Sequence, residues 1–185
     1  MKATGIVRRI DDLGRVVIPK EIRRNMRIRE GDPLEIFVDR DGQIILKKYS
    51  PIGELATMAK EYADAMNETL GQPVLISDRD NIIAVSGASK KDFLGKPVGR
   101  LVERSMEERR VYLDNEPTAP NGEGAIVADD RGEDSYRFRG QLVTPIIAQG
   151  DPVGAVVICG HNILGDIERK VAQSAAGVMA RQMEQ

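Results

Sequence analysis

The sequence predicts two folded parts joined by a helix: an N-terminal all-β domain at residues 1–50 and an α/β (α+β) domain with an antiparallel sheet at residues 72–185. Three observations support this division. Short β-branched runs separated by turn residues fill the first fifty positions. An apolar stripe with helical spacing covers the connector, residues 51–71. The remaining chain alternates apolar runs with amphipathic segments, which is typical of a sheet flanked by helices.

The N-terminal part contains four predicted strands and one short helix. Residues 5–10 and 15–18 are the first two strands, joined by a turn in which Gly14 is free to adopt a positive φ. A helix is expected to begin at Pro19. The runs LEIFV and QIILKK follow as a hairpin around an Asp-Gly turn.

This N-terminal part is small for an independent domain, because about fifty residues bury too little surface to be comfortably stable alone. Cys159 is the single cysteine of the chain, so an internal disulfide is excluded. Association with a second copy is the remaining way to stabilise so small a domain, and exchange of hairpins between two copies achieves this at low energetic cost. The sequence therefore predicts a homodimer with two basic clusters across a two-fold axis, as in symmetric DNA-binding proteins.

The net charge of −2 conceals opposite charges in the two parts. Residues 1–50 hold 12 Lys and Arg against 8 Asp and Glu, whereas residues 51–185 hold 15 against 21. Within residues 1–29 the net charge is +6, and seven of the nine basic residues are arginine. Arginine suits fork-like contacts with phosphates and base edges. A solvated basic face has the same composition, but the density of like charge favours an anionic partner, and nucleic acid in particular.

The run from Thr4 to Tyr49, with the core DxxGRVVIPKEIRR, closely resembles the AbrB-type transition-state regulators. The resemblance implies an AbrB-like swapped-hairpin β-barrel dimer that binds double-stranded DNA. It also implies which side chains contact the DNA: Arg8, Arg15, Arg23 and Arg24, with added positive charge from Arg9, Lys20 and Arg27. The full-length layout is similar to a sporulation branch of that family. This likeness implies sequence-tolerant activation and repression of late sporulation genes, at the nucleoid in the cytoplasm.

Antitoxins of the MazE type provide the alternative function, because they use the same swapped-hairpin barrel. Such antitoxins usually end in a short, disordered acidic tail that folds onto a partner toxin. Here 135 residues with clear strand and helix patterns follow the barrel. This long continuation favours the regulator over the antitoxin.

The connector carries apolar residues at spacings of three and four, and its stripe comprises Ile52, Leu55, Ala59, Tyr62, Met66 and Leu70 (or Thr69). About two and a half heptads are fewer than the three to four that indicate a coiled coil. Two interpretations therefore stay open. The helix either contacts another subunit, which would allow a homotetramer, or packs on its own domain.

The C-terminal part contains five predicted strands and two long helices. The strands are PVLISD, NIIAVS, GAIVAD and the apolar pair YRFRGQLVTPIIAQG and PVGAVVICG, which is expected to turn at Gly150-Asp151. The helices are residues 96–113 and 163–183.

The phrase TPIIAQGDPVGAVVI resembles the paired strands of GAF domains. The resemblance implies a GAF-like sensor and oligomerisation domain, with room for a small-molecule ligand that the sequence does not identify. Residues 112–132 are rich in Pro, Gly, Asn and Asp, and are expected to form either a lid over such a pocket or a passive surface loop.

The sequence contains no pattern that indicates an enzyme. It lacks GxxxxGK[ST], GxGxxG, CxxC and HExxH, and its one histidine is His161. Cys159 lies in the run AVVIC, where a packed thiol is expected, so we expect neither a metal nor a cofactor. No apolar stretch approaches eighteen residues and the N-terminus has no secretory pattern, so we expect a cytosolic protein without a membrane partner.

Overall fold

The computed structural model divides the chain into two units, Met1–Tyr49 and Ser50–Gln185, hereafter the N-terminal and C-terminal units. The residues that the structure describes are 5–50, 52, 56–116, 126–127 and 138–184.

The N-terminal unit consists of one short helix and one hairpin: α1 is Lys20–Asn25, β1 is Leu34–Val38 and β2 is Ile44–Lys48. The strands expected at 5–10 and 15–18 are wrong for the single chain, which forms only the turn between them. The physical reason is that a strand needs a neighbour to complete its ladder of hydrogen bonds, and no strand among the described residues lies beside them.

The antiparallel sheet predicted for the C-terminal unit is confirmed, and it has five strands, of which the sequence predicted four. In the order β4-β3-β7-β6-β5, its strands are β3 at Val74–Asp78, β4 at Ile82–Ser86, β5 at Tyr112–Asp114, β6 at Gly140–Ala148 and β7 at Asp151–Gly160. The central strand β7 is buried from Val153 to its end. Both of its faces are covered, which explains why its sequence is a continuous apolar run rather than an alternating one.

Helices cover both faces of this sheet, namely α2 at Ala56–Leu70, α3 at Lys90–Phe93, α4 at Arg100–Glu108 and α5 at Asp166–Gln182. On one face α2 and α5 bury Met66 and Met179 against Ile158. On the other face α3 and α4 bury Phe93 and Val102. The predicted arrangement of a sheet between helices is confirmed, although α3 is a helix that the sequence analysis did not predict.

The connector helix packs on its own unit, which is the second of the two interpretations left open. Ala59, Ala63 and Met66 are buried in the cluster that contains the sheet, and Tyr62 packs against that cluster. The helix ends before Gly71, whose φ is +65°. The apolar stripe of the connector is therefore used within the subunit.

The helix expected over residues 96–113 is shorter than predicted, because Arg109 adopts a φ of +53° and ends it after Glu108. The chain then pairs Tyr112–Asp114 with β6 as the edge strand β5. The apolar residues that suggested a longer helix cover the sheet edge instead.

The turn between β6 and β7 lies one residue earlier than predicted. Gln149 and Gly150 have φ values of +51° and +86°, and Asp151 already belongs to β7. Two successive positive φ values define a type I′ hairpin turn, whose twist matches that of the strands. Of the predicted strand GAIVAD, Ile126 and Val127 are described, and Val127 forms one isolated bridge with Val98.

Candidate nucleic-acid interface

The first turn of the N-terminal unit is organised by the carboxylate of Asp11. Its Oδ1 atom accepts the backbone N–H groups of Leu13 at 3.1 Å and Arg15 at 2.7 Å. The Gly14 N–H donates to the Asp11 carbonyl at 3.0 Å, and Gly14 has a φ of +76°. This is a type I turn followed by a left-handed residue, a common hairpin connection.

The same carboxylate holds the side chain of Arg15, whose Nε donates to Asp11 Oδ2 at 2.8 Å. The backbone N–H and then the guanidinium of Arg15 hold the pKa of Asp11 below its ordinary value, so the carboxylate is charged at neutral pH. The Arg15 side chain is 70% exposed. Because the contact uses Nε, both Nη groups of Arg15 stay available to an anion.

The second turn of the unit repeats this geometry around Asp39. The Oδ1 atom of Asp39 accepts the N–H groups of Asp41 at 3.0 Å and Gln43 at 2.9 Å, and Gly42 has a φ of +75°. The two segments, DDLGR and DRDGQ, share the pattern Asp-x-x-Gly, and this repetition was not identified from the sequence. They differ at the last position, where the first turn has Arg15 and the second has Gln43.

Helix α1 contributes a second group of cations, since Lys20, Arg23 and Arg24 are all exposed on it. The helix ends in a Schellman-type motif, in which Ile28 N–H donates to the Arg23 carbonyl at 2.7 Å and Arg27 N–H donates to the Arg24 carbonyl at 3.2 Å. Arg27 has a φ of +51°. Glycine usually occupies this left-handed position, so the arginine is retained there at some cost in strain.

The backbone of Arg27 is held by a distant lysine. Lys48 Nζ on β2 donates to the Arg27 carbonyl at 2.7 Å and lies 3.5 Å from Asp32 Oδ2. Asp32 Oδ2 also accepts the Arg29 N–H at 2.8 Å. These contacts fasten the end of α1 to the hairpin, and they join residues too far apart in sequence for the motif analysis to pair them.

All seven cations predicted to contact DNA are exposed, but they lie on different elements. Arg15 lies on the first turn, three others lie on α1 and Arg27 follows it, while Arg8 and Arg9 precede the turn. Apart from Arg15, none of the seven forms a side-chain hydrogen bond or ion pair with a described residue. Like charges three and four positions apart on a helix destabilise it, so an external anion would stabilise this arrangement.

The N-terminal unit also leaves its apolar side chains uncovered. Among its described residues Pro19 is the one buried residue, whereas Val7, Leu13 and Val38 are 90%, 71% and 73% exposed. Met26, directly after the end of α1, is 51% exposed as well. Apolar surface of this extent indicates an interaction with another molecule.

The C-terminal unit contains no metal or thiol site in its described part. Cys159 is fully buried and burial raises the pKa of its thiol, which confirms the packed role predicted for it. His161 lies exposed just after β7. No three His, Cys, Asp or Glu side chains of the described residues are grouped to hold a metal ion. No helix among those residues has the length and apolarity needed to span a membrane. Most of the predicted lid or loop lies outside the described residues.

Comparison with known proteins assigns the chain to a family. A family model described as stage V sporulation protein T C-terminal, transcription factor, matches residues 54–184. Stage V sporulation protein T of Bacillus subtilis (strain 168) is 59% identical over 186 residues, which cover 100% of both chains. The chain belongs to the stage V sporulation protein T family. A transcription-factor family with this layout is the one that the sequence analysis expected.

The N-terminal unit of this stage V family member has its own relatives. The transition state regulatory protein AbrB of Bacillus subtilis (strain 168) is 67% identical over 51 residues, which are 28% of this chain and 52% of AbrB. A second family model, described as antidote-toxin recognition MazE, bacterial antitoxin, matches residues 7–54. The AbrB resemblance is confirmed.

The C-terminal unit has the fold of GAF domains. The GAF domain of an Acinetobacter phosphoenolpyruvate-protein phosphotransferase superimposes with a TM-score of 0.57 at 9% identity, covering 70% of this chain and 81% of that one. At this identity the likeness concerns the fold alone. The GAF-like fold expected for the second domain is therefore confirmed.

Proposed function

We propose that this protein is a homodimeric, DNA-binding transcription regulator that activates and represses late sporulation genes with little sequence dependence. The observation that carries the proposal is the N-terminal unit, which combines unpaired exposed cations with apolar side chains that one chain leaves uncovered. Membership of a transcription-factor family and the relatives' names, a sporulation protein and a transition state regulator, support the biological role.

The homodimer explains why the first two predicted strands find no neighbour within one chain. Their β-branched residues, such as Val7 and Val16, are exposed, although such side chains normally pack on a sheet. A second copy would supply both the missing strands and the missing apolar partners. Each subunit would then complete the barrel of the other by exchanging hairpins.

The cations provide the contacts to DNA in this proposal. Arg15, held by Asp11, and Arg23 on α1 would contact phosphates and groove edges, together with Arg8 and Arg24. The remaining members of the set, Arg9, Lys20 and Arg27, would add positive potential. Phosphate contacts dominate affinity and are tolerant of sequence, which suits a regulator of many sites.

The GAF-like unit would control the assembly of these dimers, with tetramers as one arrangement. A small-molecule ligand would regulate DNA binding only if it favoured one arrangement over another. The expected location is the cytoplasm, at the nucleoid, because the proposed partner is chromosomal DNA.

The test is binding to a random-sequence duplex, measured by fluorescence anisotropy over a series of KCl concentrations. A dimer that neutralises about six to eight phosphates should have a log–log slope of about −5 to −7. The Arg15→Ala, Arg23→Ala double variant removes two arginines per subunit and should have a slope shallower by about 2 to 4, because Asp11 already offsets part of the Arg15 charge. The matched control is Arg169→Ala, Lys170→Ala on the exposed face of α5, which should keep the original slope.

Negligible binding at low salt by a protein shown to be folded and dimeric would contradict the proposal. An equal slope for the control and the double variant would contradict the role of the N-terminal arginines. The antitoxin alternative, supported by the MazE-like residues 7–54, predicts capture of a partner protein through a C-terminal part that is disordered alone. Circular dichroism of residues 50–185, the whole C-terminal unit with α2, tests that disorder, and the sheet of this unit argues against it.

A further inference from the structure

A groove lies at the open edge of the sheet, where β5 stops and β6 continues. β5 pairs with Gln141–Val143, so the outer edge of β6 beyond Val143 has no neighbouring strand among the described residues. The C-terminal half of α5 forms the opposite wall. The cavity has a volume of about 310 Å³, which is at the small end of the range for ligand sites.

A buried hydroxyl without a partner lines this groove. Thr144 on β6 is 3% exposed, and its Oγ1 atom forms no hydrogen bond. Ser77 and Gln141 also have a buried atom without a partner, but neither lines the groove. A buried hydroxyl without a hydrogen bond lowers the stability of the folded protein. Its presence at a cavity indicates that a polar group occupies the cavity.

The one charged side chain that lines the groove in the described part is Arg109, which follows α4. Arg109 has a φ of +53°, at a helix end where glycine is the usual residue. Its guanidinium forms no ion pair or hydrogen bond with a described residue. The chain therefore retains a strained arginine at the groove, in a position where glycine would be more stable.

Helix α5 has a glycine where the groove needs space. Gly177 lies in the interior of α5 and lines the cavity, and a Cβ atom added there would meet nothing within 4 Å. Alanine would therefore fit and would favour the helix, since glycine is among the poorest helix formers. Thr144, Arg109 and Gly177 come from three separate elements, and each is locally unfavourable. Functional sites typically bring together residues that are unfavourable for the local backbone or packing.

We propose that this groove binds a small molecule with a single carboxylate and a compact apolar body. The carboxylate would accept hydrogen bonds from the Arg109 guanidinium and the Thr144 hydroxyl, with the Gln173 amide at the rim. The apolar body would lie against Val111 and Ile147. No acidic side chain lines the groove in the described residues, so a single negative charge is matched by a single positive one.

A peptide strand added to the open edge of β6 is disfavoured by Pro145, which lies at that edge and has no backbone N–H to donate. The mixed lining of one cation, one hydroxyl and apolar walls also differs from the dry surface expected of a contact between two helices. Both features favour a small ligand over a second protein segment. The site is independent of the proposed DNA contacts, which belong to the other unit.

The test uses the full-length protein and two probes of equal shape, 4-methylpentanoate and 4-methylpentanamide. Methyl-selective NMR should show shifts at Thr144 and Ile147 with the carboxylate, at a Kd of about 1 mM for a probe of about eight non-hydrogen atoms. The amide should bind at least about tenfold more weakly, because it lacks the charge that Arg109 recognises.

Three variants should each fold at least as well as the wild type and bind more weakly. Arg109→Gly relieves the strained φ and should weaken binding about tenfold or more, whereas the matched variant Arg110→Gln should bind normally. Thr144→Val removes the unsatisfied hydroxyl and should weaken binding about threefold to tenfold. Gly177→Leu fills the cavity and should abolish binding. Thermal unfolding measures the stability of each variant.

Equal binding of acid and amide, or equal binding by Arg109→Gly and Arg110→Gln, would overturn the proposal. Absence of any shift at probe concentrations of about 20 mM would do so as well, because this is well above the expected Kd. A change of oligomeric state in Gly177→Leu, measured by sedimentation, would show instead that a second copy covers the groove. None of these measurements involves DNA, so their failure is distinct from failure of the proposed function.

Discussion

Replacing Asp11 with asparagine should separate the two tasks of its carboxylate. Asn Oδ1 still accepts the N–H groups of Leu13 and Arg15, as Asp11 Oδ1 does at 3.1 and 2.7 Å, so the turn should persist. The amide nitrogen, however, replaces the Oδ2 atom that accepts Arg15 Nε at 2.8 Å. Two donors then face each other, and the arginine is released. Because the ion pair is exposed, the folding stability should change little.

The magnitude follows from the charge that becomes available to DNA. In the wild type the Asp11 carboxylate lies against the Arg15 guanidinium and offsets part of its charge, so this arginine neutralises a phosphate only in part. Release of one arginine per subunit restores up to two full cations per proposed dimer, which should steepen the log–log salt slope by up to about 1.8. Over a fourfold change in salt this amounts to about a tenfold further loss of affinity.

The assay is the same anisotropy series, and the chain offers a matched control in Asp39→Asn. That variant makes the same charge change in a turn with the same hydrogen bonds, but with Gln43 in the place of Arg15. Its slope should equal that of the wild type. An unchanged slope for Asp11→Asn, or an equal steepening for Asp39→Asn, would refute the reasoning. Adding Arg15→Ala to Asp11→Asn should abolish the gain.

The remaining predictions concern the C-terminal unit. Gly154→Ala should destabilise it by about 3 kcal/mol, since the new Cβ would lie 2.1 Å from the Ser77 carbonyl oxygen; a loss under about 1 kcal/mol in urea unfolding would contradict this. Cys159 should resist iodoacetamide until the protein unfolds, because burial raises its pKa, and rapid labelling of the folded protein would argue otherwise. The hydrogen bond from Lys60 lowers the pKa of Asp64 below 3.8. The ionised Asp64 therefore stabilises the folded unit above that pH, and this stabilisation is lost as the pH falls below it. The urea midpoints of the wild type and of Asp64→Asn should therefore converge on acidification. A difference between the two midpoints that stays constant with pH would contradict this prediction.

Periodicity and turn chemistry were sufficient for most elements of the C-terminal unit. The apolar strands β3, β4, β6 and β7 and the long helix α5 follow from local patterns, and the structure confirms them. Local patterns failed at residues 109–114, whose apolar residues suit both a helix and a strand. The outer edge of β6 decided the outcome, because Tyr112 and Leu113 could pair there with Val143 and Leu142.

The candidate DNA-binding residues were identified by resemblance and by charge density, and both are properties of the sequence alone. The role of Asp11 required the structure, since an acidic residue in a basic segment is equally consistent with a solvated turn. The contact of Lys48 with the Arg27 carbonyl was also beyond sequence analysis. It joins α1 to β2 across 21 positions, and no local pattern indicates such a pairing.

The sequence by itself determined that the chain has two different parts. One is a basic N-terminal unit too small for its own core, and the other is an acidic unit with enough apolar residues to fold as a sheet between helices. Both properties follow from amino-acid composition and from the spacing of apolar residues along the chain, and neither depends on which residues meet in space. Only the tertiary structure decided that α2 packs on its own sheet and that Arg109, Thr144 and Gly177 meet at one groove. Their meeting depends on where an edge strand stops and how a helix lies across it, and those are consequences of packing.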